Sequence, residues 1–327
     1  MTKFLYKSII ATIVVILLHL IIVFFANGYT DSIYEKISSG KQKSLLLGGS
    51  RMSQAILPNV IDDVLGKQSP KFYNFAFTNS HSGIGPVYFN AIKRKIDPQT
   101  KKGVYLISVS PWGVSSYGND NGDEAVLREN NFELAKITDF SSSPNYDYML
   151  NAYGYGWGSI LLKTIEPKIL NGAIDLGLNL KGSWTYIHKD GSLEIKTTTT
   201  DMVEINKMIV KETAKFIKEA EEKDYQLSSL RLDYLDKIIS FLQEHGKVYL
   251  VRLPVNPKIY QFEEKKYPNF NQLMAGVSKV KSVKYVNFAT DGEIYEFCDG
   301  NHLSRNAAKL FSVEIAKMLT QEESENN

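Results

Sequence analysis

Three residues of this chain could together make a hydroxyl nucleophilic: Ser50, Asp299 and His302. An aspartate three residues before a histidine can fold back and accept the imidazole Nδ1 proton, leaving Nε2 to take the proton of a serine. Ser50 follows Lys43-Ser44-Leu45-Leu46-Leu47-Gly48-Gly49, where residues 44–47 read as a buried parallel strand that stops at two glycines. Glycine accepts the torsions of a tight turn that a larger side chain resists. Met52, Ala55, Ile56 and Val60 then follow at roughly helical spacing. Ser50 is therefore expected at the carboxyl end of a strand and the amino end of a helix, where free N–H groups and a positive dipole end favour a developing oxyanion. Each motif also has an ordinary explanation: Gly-Gly-Ser as a strand-to-helix turn, Asp-x-x-His as a loop fastener. What joins them is their order, with the serine after the first strand and the Asp/His pair between the last strand, 283–288, and the apolar-periodic segment 307–319.

With these residues the chain resembles the SGNH, or GDSL-type, hydrolase superfamily. Gly48, Gly49 and Ser50 match its first block, Gly-x-Ser, and Asp299 and His302 match its last, Asp-x-x-His. The resemblance implies a three-layer α/β/α sandwich around a parallel sheet, flavodoxin-like in class, and esterase or acyl-transfer chemistry without a cofactor. The middle blocks depart from the pattern. Where the family has a glycine whose N–H points at the oxyanion, Phe72-Tyr73-Asn74-Phe75-Ala76 ends in alanine, so the expected donor is the backbone of Ala76. Where the family has Gly-x-Asn-Asp, this chain reads Ser108-Val109-Ser110-Pro111-Trp112-Gly113, leaving the Ser108 or Ser110 hydroxyl as a substitute for the asparagine. Gly-Gly-Ser-Arg looks more like the membrane-tethered branch, whose members O-acetylate or D-alanylate surface polymers. The function so implied is a membrane-anchored extracytoplasmic esterase or O-acyltransferase acting on a surface polysaccharide, with a membrane-embedded acyl-donor protein as partner. The alternative is a catalytically degenerate domain of the same kind that binds polymer or partner.

Other residues are candidates for holding substrate. Arg51 can recruit an anionic polymer or make a structural ion pair. His81 stands in the polar loop 78–83, which should rim the same sheet edge as Ser50. As a rival base it lacks an acid at a fixed spacing, which His302 has in Asp299. Arg252, near the end of the expected strand 248–253, and Asn256, in the loop after it, stand at that edge, where Arg252 could instead pair with a core carboxylate. Tyr153, Tyr155 and Trp157 could offer flat faces to sugar rings or pack the core. The one cysteine, Cys298, allows no intrachain disulfide and has no spaced partner ligands for zinc, so no metal is expected. The net charge of +2 says little about partners, but basic and acidic residues are interspersed and no concentrated basic tract with interleaved aromatics is present, which speaks against nucleic acid.

The elements that must carry these residues begin with residues 8–27, which lack Asp, Glu, Lys and Arg. That is enough helix, at about 1.5 Å per residue, for one bilayer crossing, and it is longer than the roughly 7–15 apolar residues of the alternative, a cleaved signal peptide, for which Ala26-Asn27-Gly28 is a poor cleavage site. Lys3 and Lys7 precede it and Asp31 and Glu35 follow, so residues 1–7 are expected in the cytoplasm and the rest outside. His19 within the span reads as packed against a partner helix or tolerated. Residues 28–42 read as an amphipathic linker and 43–319 as the α/β domain. An insertion at about 114–200, rich in Asn, Ser, Gly and Tyr, is expected to form a lid containing a hairpin around Lys189-Asp190-Gly191. Two amphipathic helices, 202–220 and 229–245, follow, the second stopped by Gly246. Residues 320–327 are expected to be disordered.

Overall fold

The structure, a computed structural model, describes residues 2–23, 25, 30–66, 71–78, 83–117, 129–151, 162, 183–197 and 201–325. Short, near-continuous apolar runs, buried on both faces, give a five-stranded sheet of β1 (Ser44–Leu47), β2 (Phe72–Asn74), β3 (Gly103–Ser108), β8 (Gly246–Arg252) and β9 (Lys284–Asn287). The order is β2-β1-β3-β8-β9 with every neighbouring pair parallel. Leu45, Leu47, Tyr105, Ile107 and Leu250 point to one face, and Leu46, Leu106, Tyr249 and Val251 to the other. Both faces must then be covered, as parallel sheets require.

Helices α2 (Ser32–Ser38), α5 (Pro86–Lys95), α8 (Ser229–Gln243) and α10 (Phe270–Lys281) cover the first face through residues such as Ile37, Tyr88, Ile239 and Met274. Helices α3 (Ser50–Ala55), α4 (Pro58–Leu65) and α11 (Arg305–Glu325) cover the second through Met52, Ile61, Phe311 and Ile315. The result is the α/β class with a parallel central sheet between helical layers. Helix α9 (Pro257–Lys266) links β8 to α10.

Several expectations change. Residues 28–42 are not a free linker over their described part. Helix α2 buries Ile33, Tyr34 and Ile37 in the core, and Asp31 caps it by accepting from the N–H groups of Ile33 and Tyr34. Lys36 lies 3% exposed on α2. Its Nζ donates to the Ala76 carbonyl (2.5 Å), the Asn74 carbonyl (3.1 Å) and the Ser53 hydroxyl (3.2 Å). Lys95, also buried, donates to the carbonyls of Lys36, Ser39 and Phe140 and to the Ser39 hydroxyl. Burial pushes each ammonium down to about 7.

Gly246 does not stop a helix. Glu244 caps α8, and Gly246 opens β8 opposite Gly103, whose carbonyl oxygen would lie 1.9 Å from an added Cβ. The glycine serves close strand approach rather than a left-handed turn. The run after Ser50 is two helices, because Pro58 cannot donate a helical N–H and restarts the helix at its own first turn. Residues past Leu319 continue α11 to Glu325, as a stretch without Gly or Pro and rich in Gln and Glu permits.

Helix α1 (Thr2–Val23) leaves most of its described apolar side chains exposed, Phe4, Ile9, Val15, Leu17 and Ile21 among them, while Leu20 near its end packs partly buried against the first core cluster. Among the described residues no helix is long and apolar enough to cross a membrane, and the side chains of residues 19, 22 and 23 lie outside that set.

In the inserted region, β4 (Ser115–Tyr117) pairs antiparallel with β7 (Tyr225–Leu227). Helix α6 (Tyr146–Asn151) carries Tyr148, whose hydroxyl donates to Asp31. The expected hairpin forms as β5 (Ser183–Ile187) and β6 (Leu193–Thr197). It docks on the β2 edge of the sheet, where the Asn74 N–H donates to the Asp190 carbonyl at 2.8 Å, and is no lid over Ser50. The rest of the proposed lid, Tyr153, Tyr155 and Trp157 included, lies outside the described residues. Helix α7 (Met202–Glu222) follows.

Candidate active site

Strand β1 ends at Leu47, and Gly48 turns the chain at φ +136°. A side chain there would be strained, and an added Cβ would lie 2.0 Å from the Ser108 hydroxyl. The Gly48 N–H donates to the Tyr88 hydroxyl, which in turn donates to the Phe75 carbonyl. The turn is thereby tied to the end of the neighbouring strand. Gly49 is ordinary extended backbone and caps α3, so Ser50 is the first helical residue. The N–H groups of Ser50 and Arg51 fall in the first turn, where a helix offers no acceptor of its own. Asn74 fastens the other end of α3, its amide nitrogen donating to the Met52 and Ile56 carbonyls.

The far end of the chain meets this turn. Residues 297–303 close a loop in which Phe297 bridges Leu303 and the Cys298 N–H donates to the His302 carbonyl. Within it Asp299 folds back: Oδ1 accepts from the N–H groups of Asn301 (3.1 Å) and His302 (2.9 Å), and Oδ2 stands 2.7 Å from His302 Nδ1. A carboxylate can only accept, so Nδ1 carries the ring proton and Nε2 is left as the acceptor. Nε2 lies 2.9 Å from Ser50 Oγ. Burial works to raise the Asp299 carboxyl, but the hydrogen bond from the His302 ring and those from the Asn301 and His302 N–H groups outweigh it and hold the group below the usual carboxylate range. Gly300, at φ +82°, lets helix α7 press against the loop, for an added Cβ would sit 2.2 Å from Thr213 Oγ1. The Cys298 thiol, pushed up to about 12 by burial and then by Asp299, is chemically quiet.

A cavity of about 150 Å³ opens beside Ser50, walled by Ser108, Ser110, Trp112, Phe216 and Leu253 among others. Ser110 caps the turn at Pro111–Val114, its oxygen accepting from the Gly113 N–H. That bond leaves the hydroxyl proton available as a donor at the cavity. Ala76 does not serve as expected. It is not among the residues walling the cavity, and its N–H already donates to Asn74 Oδ1 at 3.2 Å.

Arg51 and Arg252 both wall the cavity, yet their guanidinium groups are engaged with protein. Arg51 donates through Nε to Asn301 Oδ1 (2.9 Å) and through one terminal nitrogen to Glu263 (2.8 Å). Arg252, 1% exposed, is held by Glu263 (2.9 Å), Glu264 (2.8 Å) and Asn271 (2.8 Å). For both arginines the structural pairing weighed from sequence is the one present. Asn256 faces its own helix, capping α9 by accepting from the Lys258 N–H. His81 lies outside the described residues.

Three contributors escaped the sequence reading. Glu263, fully buried on α9, accepts from both arginines and from Trp112 Nε1 at 2.6 Å. Burial alone would raise its carboxyl, but Arg51 and Arg252 outweigh that and hold it low. Its segment Phe262-Glu263-Glu264-Lys265-Lys266 reads as a solvated helix, with no local mark that one glutamate faces inward. Asn301 sits inside the Asp-x-x-His motif, which was its available signal. Phe216 on α7 is one apolar position of an amphipathic helix, distinguished only by where the helix packs. Among the described residues no cluster of His, Cys, Asp and Glu could hold a metal ion.

No family model and no curated protein matches the chain. Among solved structures it is similar to a carbohydrate acetylesterase from Sinorhizobium meliloti, at 8% identity and a TM-score of 0.35, over 86% of this chain and 99% of that one. It is also similar to an aryl esterase from M. smegmatis in an inhibitor-bound form, at 12% identity and a TM-score of 0.32, over the same shares of the two chains.

Proposed function

We propose that the protein is a membrane-anchored, extracytoplasmic serine esterase or O-acyltransferase whose nucleophile is Ser50. The observation that carries this reading is the relay from Asp299 Oδ2 through His302 to Ser50 Oγ, at 2.7 and 2.9 Å, beside a cavity. Ser50 Oγ attacks the ester carbonyl carbon as its proton passes to His302 Nε2. The carbonyl oxygen becomes an oxyanion facing the first-turn N–H groups of α3 and the Ser110 hydroxyl. Collapse breaks the ester bond, and the leaving alkoxide takes the proton from Nε2. A water or sugar hydroxyl then attacks the acyl-serine, giving its proton to Nε2, from which it returns to Ser50. Asp299 holds the ring so that Nε2 is the working nitrogen and stabilises the imidazolium.

The anchor rests on the uncharged run 8–27 and on the exposed apolar surface of α1. With Lys3 and Lys7 ahead of it, the positive-inside rule puts the α/β domain outside. Anchoring suits a surface polysaccharide as acceptor and a membrane-embedded protein as acyl donor. A second reading, a binding domain without turnover, is favoured by one observation, the Ala76 N–H being spoken for by Asn74.

The test is labelling of the full-length, detergent-solubilised protein by an active-serine phosphonate, alongside turnover of a chromogenic acetyl ester. Both are expected in the wild type and absent in Ser50→Ala, a loss of roughly 10⁴-fold or more. A folded wild type that neither labels nor turns over would favour the binding reading. Labelling that survives Ser50→Ala would put the nucleophile elsewhere.

A further inference from the structure

The apolar part of the wall beside Ser50 is made by the aliphatic side chains of Ile84, Val109 and Leu253 and by two rings, Trp112 and Phe216, which pack against each other. Away from the cavity, the Trp112 ring is held by four other rings. It stacks on Phe262 at 5.9 Å between centroids and 10° between planes, and meets the edges of Phe216 (5.3 Å), Tyr267 (5.6 Å) and Tyr225 (5.8 Å). Its indole N–H is bound to Glu263 at 2.6 Å. Phe216 is pinned in turn between Trp112 and the Arg51 guanidinium, 6.0 Å from its ring centre. A wall so held cannot swing aside by a rotamer change without breaking the buried Glu263 contact and vacating an aromatic cluster.

We propose that Trp112 and Phe216 set an upper limit on the acyl group that Ser50 can take, restricting it to short chains. This inference rests on the esterase or acyltransferase reading and names its substrate class. A cavity of 150 Å³ holds a molecule of about benzene's size, roughly six heavy atoms, and lies well below the ~300–1,000 Å³ of drug-sized ligand sites. An acetyl or butyryl group fits within that limit; an octanoyl group does not. Trp112 also occupies the segment after β3 where the resembled family carries its Gly-x-Asn-Asp block, so the element that lacks the asparagine supplies a steric wall.

The experiment uses the full-length protein in detergent and two readouts at Ser50. The first is kcat/KM for acetyl, butyryl, hexanoyl and octanoyl esters of one chromogenic alcohol. The second is the labelling rate by methyl and octyl fluorophosphonates, in which Ser50 Oγ bonds to phosphorus, fluoride leaves and the proton passes to His302. In the wild type, acetyl and butyryl are expected to exceed octanoyl by tenfold or more, and methyl to label faster than octyl by a similar factor. Phe216→Ala should raise the octanoyl-to-acetyl ratio about tenfold. Trp112→Phe, which keeps an aromatic ring and so guards against loss of fold, should raise it by a smaller factor. Equal rates across chain lengths in the wild type, or unchanged ratios in variants of native circular dichroism, would overturn the limit and leave the serine reading standing. No labelling at Ser50 by any phosphonate would overturn the serine reading and the limit with it.

Discussion

Asp299→Asn is expected to lower kcat for ester hydrolysis by about 10⁴-fold while leaving the fold intact. The asparagine would keep an oxygen for the N–H groups of Asn301 and His302, so the loop retains its backbone hydrogen bonds. Its NH₂ would face Nδ1 and donate, forcing the ring proton onto Nε2. That nitrogen could no longer accept from Ser50 Oγ, 2.9 Å away. KM should change little, because the residue touches neither the cavity nor the acyl group. The pH dependence of stability provides a separate check. The folded Asp299 carboxyl is held below its ordinary value, so the unfolded chain takes up a proton first as the solution is acidified. The stabilisation it contributes is complete above the ordinary carboxylate value and is lost as pH falls through the lower, folded value. Denaturant unfolding of wild type and variant should therefore diverge at neutral pH and converge in acid. A variant with more than a tenth of wild-type kcat would remove Asp299 from the mechanism.

Glu263→Ala should have the largest effect on stability, a loss of about 3–5 kcal/mol read from the denaturant midpoint. One carboxylate neutralises two arginines and accepts from an indole, all from groups that are mostly or fully buried. Removing it leaves Arg51 and Arg252 without their shared counter-charge and Trp112 Nε1 without an acceptor. Loss of the whole residue would cost more than loss of its charge, so Glu263→Gln, which keeps an oxygen for the indole, should fall between the two. Activity should fall in both variants, since Arg51 directly follows the nucleophile and Trp112 walls its cavity. A Glu263→Ala protein within 1 kcal/mol of wild type would mean that water reaches the arginines and that the cluster is not buried as described.

The elements that place the serine, aspartate and histidine could be read from the sequence because each has a local cause. Leu45, Leu46 and Leu47 make a buried strand, Gly48 needs its positive φ, and Asp299 is at the spacing that folds back on His302. The hairpin around Gly191 likewise follows from alternation and turn chemistry. What the sequence hid depends on distant partners. Lys36 and Glu263 look like solvated helix charges until carbonyls and arginines from other segments close over them. The Ala76 N–H is the exception, for its acceptor Asn74 stands only two residues earlier, a local side-chain-to-backbone bond that the strand reading of this run passed over. Gly246 looked like a helix stop because the contact that needs it, the backbone of Gly103, lies more than a hundred positions away.

The two buried lysines also decide where the domain begins. Lys95 binds the carbonyl of Lys36, and Lys36 binds the carbonyls on which β2 ends and the hydroxyl of Ser53 within α3. A fragment starting at Lys43 would strip donors from Asn74 and Ala76, so the smallest self-sufficient unit starts at the Asp31 cap. Only residues 24–31 separate the end of α1 from α2, eight residues that span about 28 Å at most when fully extended. On the anchored reading proposed above, those eight residues would tether the α/β domain, and Ser50 with it, close to the membrane surface.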